Sequence, residues 1–135
     1  MPLVSRKAVL AIAAVVDVAV NASERPVSAR ALAARHNLPP RHLEPVLQAL
    51  VREGILKGIR GPHGGYALGR ERKGISAADV LRAANQAEDD SEPLPALAVI
   101  TDVVEPALAE AERAFSVALG RISIDDIARR AEALK

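Results

Sequence analysis

Residues 58–70 read GIRGPHGGYALGR, with glycines at 58, 61, 64, 65 and 69 set around Arg60, His63, Arg70 and the single tyrosine, Tyr66. Glycine lets a backbone come close to an anion, so phosphate binding is the first chemistry to test here. A Walker A loop needs G-x-x-x-x-G-K-[ST], but Lys57 precedes the stretch and no Gly-Lys-Ser/Thr follows. A dinucleotide fingerprint needs G-x-G-x-x-G between a strand and a helix. The spacing here is G-x-x-G-x-x-G-G, and strand-like residues come after it. Both phosphate-loop readings fail. A nucleophile elbow, G-x-S-x-G, does not occur, so no enzyme activity is expected. His36, His42 and His63 are not at metal-ligand spacing, and no metal or other cofactor is expected. The sequence contains no cysteine, which removes disulfides, thiolate metal sites and cysteine-ligated clusters. What remains is a hairpin whose tip groups Arg60, His63 and Arg70.

The elements that must position this hairpin come from a chain of 135 residues, the length of one domain with a modest core. The only aromatics are Tyr66 and Phe115, so the core must be aliphatic, and stacking of single-stranded bases has almost no platform. The longest apolar run, residues 8–20, is broken by Asp17 and is too short to span a bilayer, so a cytoplasmic protein without a membrane partner is expected. The net charge of +1 hides an asymmetry: residues 1–75 carry +7 and residues 76–135 carry −6. A basic half joined to an acidic half suits a polyanion-binding end and an end with another task.

Helical spacing of Ala8, Ile12, Val15, Val16 and Ala19 predicts a helix over residues 5–20. Ser28 caps a second, Asn37 marks a turn, and a third follows Pro39 and Pro40 with Leu43, Val46, Leu47 and Leu50 as its apolar stripe. Proline is tolerated only in a helix's first turn, so Pro45 predicts a regular start near Arg41 or His42, with Gly54 ending the helix. Ile55 and Leu56, then Tyr66, Ala67 and Leu68, read as two short strands. Ser76 and Asp79 make a capping box for a fourth helix, and ISIDDIARRA at 122–131 echoes that cap. Between them Leu94, Leu97, Thr101, Val104, Leu108, Ala111, Phe115, Ala118 and Ile122 recur at alternating spacings of three and four, a heptad-like seam in which Pro106 predicts a kink or restart.

Two helices, a turn, a third helix and a hairpin make a winged helix-turn-helix. The fold class is therefore mostly α with a small β-hairpin and a long C-terminal helix. The expected organisation is a DNA-binding domain over residues 1–84, a loop over 85–95 and a helical dimerisation region over 96–135. The third helix would enter the major groove and the wing would lie against phosphates or the minor groove of double-stranded DNA. Arg41, His42 and Gln48 could reach bases or phosphates, Ser28 and Arg30 suit phosphate, and His63 could add a contact at the wing tip. Glu44 is open to two readings: a first-turn acid complementing the helix dipole, or an acceptor for cytosine N4.

The stretch LPPRHLEPVLQALVREGILKGIRGPHGGYALGR, followed by ISAADVLRA, resembles the Rrf-type bacterial regulators, the group of IscR, NsrR and CymR. Arg60, Gly61, Pro62, Gly64, Gly65, Tyr66 and Leu68 carry the most specific part, and Leu43 with Glu44 and the junction Gly54, Ile55, Leu56 add to it. The resemblance implies a homodimeric transcription factor on a pseudo-palindromic operator. It implies base reading at Glu44, minor-groove entry by Arg60, and a wing that brings Gly64 and Tyr66 to the DNA. It also implies a dimer helix, placing Leu97, Val104, Leu108 and Phe115 at the interface. Many relatives hold an iron–sulfur cluster on three cysteines in the segment matching 85–95. Here Asp89, Asp90 and Glu92 stand there instead, a poor cluster site, so iron and redox sensing do not carry over. The expected function is a sequence-specific regulator, a repressor in the first instance, with an unidentified small-molecule effector as a further partner. Two alternatives stay open: a winged helix that docks proteins, and a metabolite binder without DNA readout.

Overall fold

The computed structural model describes residues 4–22, 25–86 and 96–134. The order is α1 (Arg6–Asn21), α2 (Ala29–Arg35), α3 (Pro40–Arg52), β1 (Leu56–Ile59), β2 (Gly65–Leu68), a 3₁₀ turn (Arg72–Gly74), α4 (Ala77–Gln86), a π-helical turn (Val99–Val104), α5 (Glu105–Gly120) and α6 (Ile124–Glu132). This is the expected fold class, mostly helical with one antiparallel hairpin and a long C-terminal helix. Among the described residues no helix is long and apolar enough to cross a membrane.

Helix α1 begins where the Ser5 hydroxyl accepts the Ala8 N–H at 3.1 Å. It is the central strut. Ala8, Ala11, Ala14, Val15 and Val18 are fully buried, and the small alanines let α4 and α6 pack close against it. Leu32, Leu43, Leu47, Leu50, Ile55, Ile75, Val80 and Ile124 complete an aliphatic core. The cap at Ser28 forms as its sequence predicts, with the hydroxyl accepting the Ala31 N–H at 3.0 Å. Asn37 turns the chain at φ 54°, a left-handed conformation asparagine tolerates.

Helix α3 corrects one expectation. It starts at Pro40, with Pro39 as N-cap, so Pro45 lies inside the helix and not in its first turn. The proline removes the N–H that would bond the Arg41 carbonyl. Both residues are exposed, so water can satisfy that carbonyl, and the loss is small compared with a buried break. At the other end Gly54 takes φ 76° and the Ile55 N–H returns to the Leu50 carbonyl at 3.0 Å, closing the helix and starting the wing.

The two echoing caps are both real. Ser76 and Asp79 exchange hydrogen bonds at 3.0 and 3.1 Å, and Ser123 and Asp126 do so at 3.0 and 3.2 Å. They also pair with each other: Ala77 N–H donates to the Ile122 carbonyl and Ile124 N–H to the Ile75 carbonyl, each at 2.8 Å. This stitch brings α6 back onto α1, with Ile124 and Ala128 buried in the same core. Helix α4 runs through Asn85 and Gln86, residues placed in a loop by composition, because Ala83 and Ala84 are buried. Residues 87–95, with Asp89, Asp90, Glu92 and Leu94, lie outside the described residues. Pro106 falls in the first turn of α5, directly after the π-helical turn, where a wider ladder gives way to an α-helical one.

Candidate nucleic-acid interface

The amphipathic period of α3 sorts its residues cleanly. Leu43, Val46, Leu47, Ala49 and Leu50 are buried, and Arg41, His42, Glu44 and Gln48 are exposed. Arg41, Glu44 and Gln48 stand at i, i+3 and i+7, so they form one outward stripe that Arg52 continues at i+11. None of the four makes a side-chain hydrogen bond or ion pair among the described residues. Because the helix starts at Pro40, Glu44 lies beyond its first turn. The helix dipole fades within that turn, which weakens the purely structural reading of Glu44.

The wing is a hairpin in the register Leu56↔Leu68, Lys57↔Ala67, Gly58↔Tyr66, Ile59↔Gly65. Arg60 and His63 are exposed at its tip, which closes with a Gly64 N–H to Gly61 carbonyl bond of 2.9 Å. Two of its glycines are required by close backbone approach. A Cβ on Gly64 would collide with the Ile59 carbonyl, and one on Gly65 would lie 2.5 Å from the Val27 carbonyl. That second contact reveals a pairing the sequence concealed. Val27 and Tyr66 exchange both backbone hydrogen bonds at 2.8 Å, so the segment before α2 lies along the wing as a one-residue third strand. Tyr66 is half-buried against the core and anchors the wing to the domain. Gly64 is likewise half-buried, whereas Arg30 is exposed on α2.

Asp17 is the residue whose role sequence reasoning missed. It is 8% exposed, and Arg35 grips it with Nε at 2.8 Å and Nη2 at 2.6 Å. Asn21 Nδ2 donates to it at 3.1 Å, and His36 Nε2 stands 3.2 Å from its Oδ2 without hydrogen-bond alignment. The hydrogen bond that Arg35 donates to Asp17 raises the Arg35 pKa further, against the cost of burial. This fork fastens the end of α2 to α1. The signal was available: a lone carboxylate in an apolar helical run needs a partner. A second network fixes the base of the wing. Arg72 Nη2 donates to Glu132 at 3.0 Å, and its Nε lies 2.8 Å from Asp125 on α6. The hydrogen bond to Glu132, with the charges of Glu132 and Asp125, keeps Arg72 firmly cationic.

Of the residues expected at a dimer interface, Leu97, Val104 and Leu108 are exposed, at 55%, 43% and 57%. Phe115 is half-buried against the rim of the core. Val99, Val103 and Val117 are also exposed, Val117 on the side of α5 away from Leu108. The π-helical turn shifts the phase of the stripe, so Leu97 and the residues after Val104 do not follow one uninterrupted α-helical seam.

The whole arrangement has known counterparts. A family model described as "Rrf2: Iron-dependent Transcriptional regulator" matches residues 4–130. The regulator CymR of Bacillus subtilis is 34% identical over 79 residues, 58% of this chain and 57% of that protein. The regulator IscR of Xenorhabdus nematophila is 34% identical over 79 residues, 58% of this chain and 48% of that protein. The chain thus spans about half the length of the relatives it matches. Among solved structures, T. potens IscR superposes with a TM-score of 0.74 at 27% identity, covering 98% of this chain and 90% of that one. B. subtilis CymR, described as a global cysteine regulator, gives 0.71 at 26% identity, covering 94% and 96%. The matched CymR and IscR proteins are named as HTH-type transcriptional regulators. The chain has the winged-helix fold and belongs to the Rrf2 family of transcriptional regulators.

Proposed function

We propose that the protein is a cytoplasmic homodimer that represses transcription by occupying a pseudo-palindromic operator, without an iron–sulfur cluster. The observation that carries this reading is the pairing of two unlike exposed surfaces: the unpartnered polar stripe of α3 beside a basic wing, and the apolar exterior of α5. In this reading Arg41, His42, Glu44 and Gln48 face the major groove, with Glu44 accepting from a cytosine amino group. Arg60 enters a narrow minor groove, and His63, Gly64 and Tyr66 set the wing against the backbone. Ser28 and Arg30 meet phosphate. Residues 1–84 carry the DNA contacts, residues 85–95 connect, and residues 96–135 supply the dimer contacts through Leu97, Val104, Leu108 and Phe115. Helix α6 folds back to brace the DNA-binding core.

The residues do not suit the iron chemistry named in the family's description. The sequence has no cysteine, and among the described residues no three histidines, aspartates or glutamates gather into a metal site. Oxygen ligands alone make a poor home for an iron–sulfur cluster. A different signal has somewhere to act. Between α4 and α5 lies an open cleft of about 670 Å³ whose apolar wall includes Leu81 and Phe115 and whose polar wall includes Arg82, Asn85, Glu112 and Ser116. A metabolite with an apolar body and several polar groups fits such a lining, and it would move α5 relative to the core.

Fluorescence anisotropy on the duplex upstream of the protein's own gene, against a random duplex and across a salt series, tests the proposal. Steep salt dependence with at least ~1000-fold preference for the upstream duplex is expected. Weak, salt-insensitive binding to both would favour a protein-docking module.

A further inference from the structure

We propose that the cleft between the wing tip and residues 25–28 seats one backbone phosphate of bound DNA, with Arg25 as its principal cation; this rests on the DNA-binding reading above. The cleft measures about 440 Å³, and Asn21, Arg25, Ser28, Arg35, His63 and Gly64 are among its walls.

Its chemistry is one-sided. Two guanidiniums and an imidazole line it, and no carboxylate does among the described residues. The two arginines are not equivalent. Arg35 is held by Asp17 through Nε and Nη2, which fixes its position and offsets much of its charge. Arg25 is exposed and has no hydrogen bond or ion pair among the described residues. The net attraction for an anion therefore falls to Arg25, beside a pre-positioned Arg35.

The walls are also built to hold their spacing. The paired hydrogen bonds of Val27 and Tyr66 lock residues 25–28 to the wing, and Gly65 allows that approach. Pro62, His63 and Gly64 form the opposite wall, and the Gly64 to Gly61 turn bond fixes their course. A phosphate contact needs this kind of rigid separation, because phosphates fix register and not sequence. A free phosphorylated molecule would present the same chemistry. The wing location assigns the phosphate to DNA: Arg60 adjoins this wall, and the phosphates bordering a minor groove about 6 Å wide lie within a side chain's reach of a residue inside it.

The test compares the full-length protein with Arg25→Ala, and with Arg113→Ala on α5 as a control of equal charge change. Affinity for a mixed-sequence duplex is measured as salt rises. Arg25→Ala is expected to flatten the log–log salt slope by about 0.9 for each protomer engaged and to weaken every sequence by the same factor. Arg113→Ala should leave the slope alone, and neither variant should lower the melting temperature, since both residues are exposed. An unchanged slope for Arg25→Ala, with the wild type still binding DNA steeply, overturns the phosphate seat and leaves the regulator reading standing. No binding by the wild type at low salt overturns both. A separate melt with inorganic phosphate distinguishes the source. Stabilisation of the wild type but not of Arg25→Ala, with the DNA slope unchanged, would assign the cleft to a free phosphorylated ligand and overturn the DNA assignment.

Discussion

Helices α3 and α5 both expose a long face, and they expose opposite chemistry. The outward stripe of α3 is Arg41, Glu44, Gln48 and Arg52, without intramolecular partners among the described residues. Helix α5 and the turn before it expose Val103, Val104 and Leu108 in close succession, and no residue of α5 is fully buried. A single exposed aliphatic residue is ordinary, but a run of them along one helix marks a protein contact. Unpaired polar groups on a helix beside a basic wing mark a polyanion contact. The arginines teach the same lesson. Arg35 and Arg72 are tied to carboxylates of other helices and hold elements together, while Arg30, Arg41 and Arg60 are left for a partner.

The largest effect should come from spoiling the apolar helix. Leu108→Asp keeps the monomer folded, because Leu108 is 57% exposed. It should reduce the sedimenting mass from twice 14.2 kDa to 14.2 kDa. Operator affinity should fall about 10²–10⁴-fold as two linked half-site contacts become one. An unchanged mass would remove α5 from the interface. Next comes the inner side of α3. Leu47 is fully buried, so Leu47→Ala should cost about 2–5 kcal/mol in denaturant unfolding. Base preference of the remaining folded protein should not change. Glu44→Ala on the outer side should do the reverse: about 1–3 kcal/mol of discrimination lost at one base pair, with the unfolding midpoint unmoved. Equal loss on random DNA would make Glu44 a structural residue after all.

The smallest effect concerns the cap of α6. The Ser123 backbone N–H, then its hydroxyl and Arg129, hold the Asp126 carboxyl below the usual carboxylate range. A lowered carboxyl contributes stability above its unfolded pKa and loses it as pH falls through the folded one. Asp126→Asn should therefore be less stable than the wild type at neutral pH. Melting curves of the two should converge in acid; a gap that persists there would assign the loss to packing.

Local signals were legible in the sequence. Ser28, Ser76 and Ser123 cap helices because each hydroxyl needs only a nearby N–H. The stripe of α3 follows from its spacing, and Gly61 from the turn it must make at φ 116°, whereas Gly65 is required by the Val27 backbone. Partnerships across the chain were not legible. Nothing local tells Val27 that it will pair with Tyr66, Asp17 that Arg35 lies eighteen residues away in reach, or the two capping boxes that they will meet at Ser76 and Ser123. Pro45 misled because its cost depends on whether the orphaned carbonyl faces water, a tertiary fact. For the candidate site, residue types pointed to α3 and the wing, and Arg25 escaped notice because its value depends on the wall formed by the wing.

A hydroxyl-radical footprint of the protein on the DNA upstream of its own gene tests the central claim most directly. Two polar stripes joined by two apolar helices should protect two half-sites on one face of the duplex, about 34 Å apart from centre to centre. Protection of a single half-site, or of no defined site, would contradict the account.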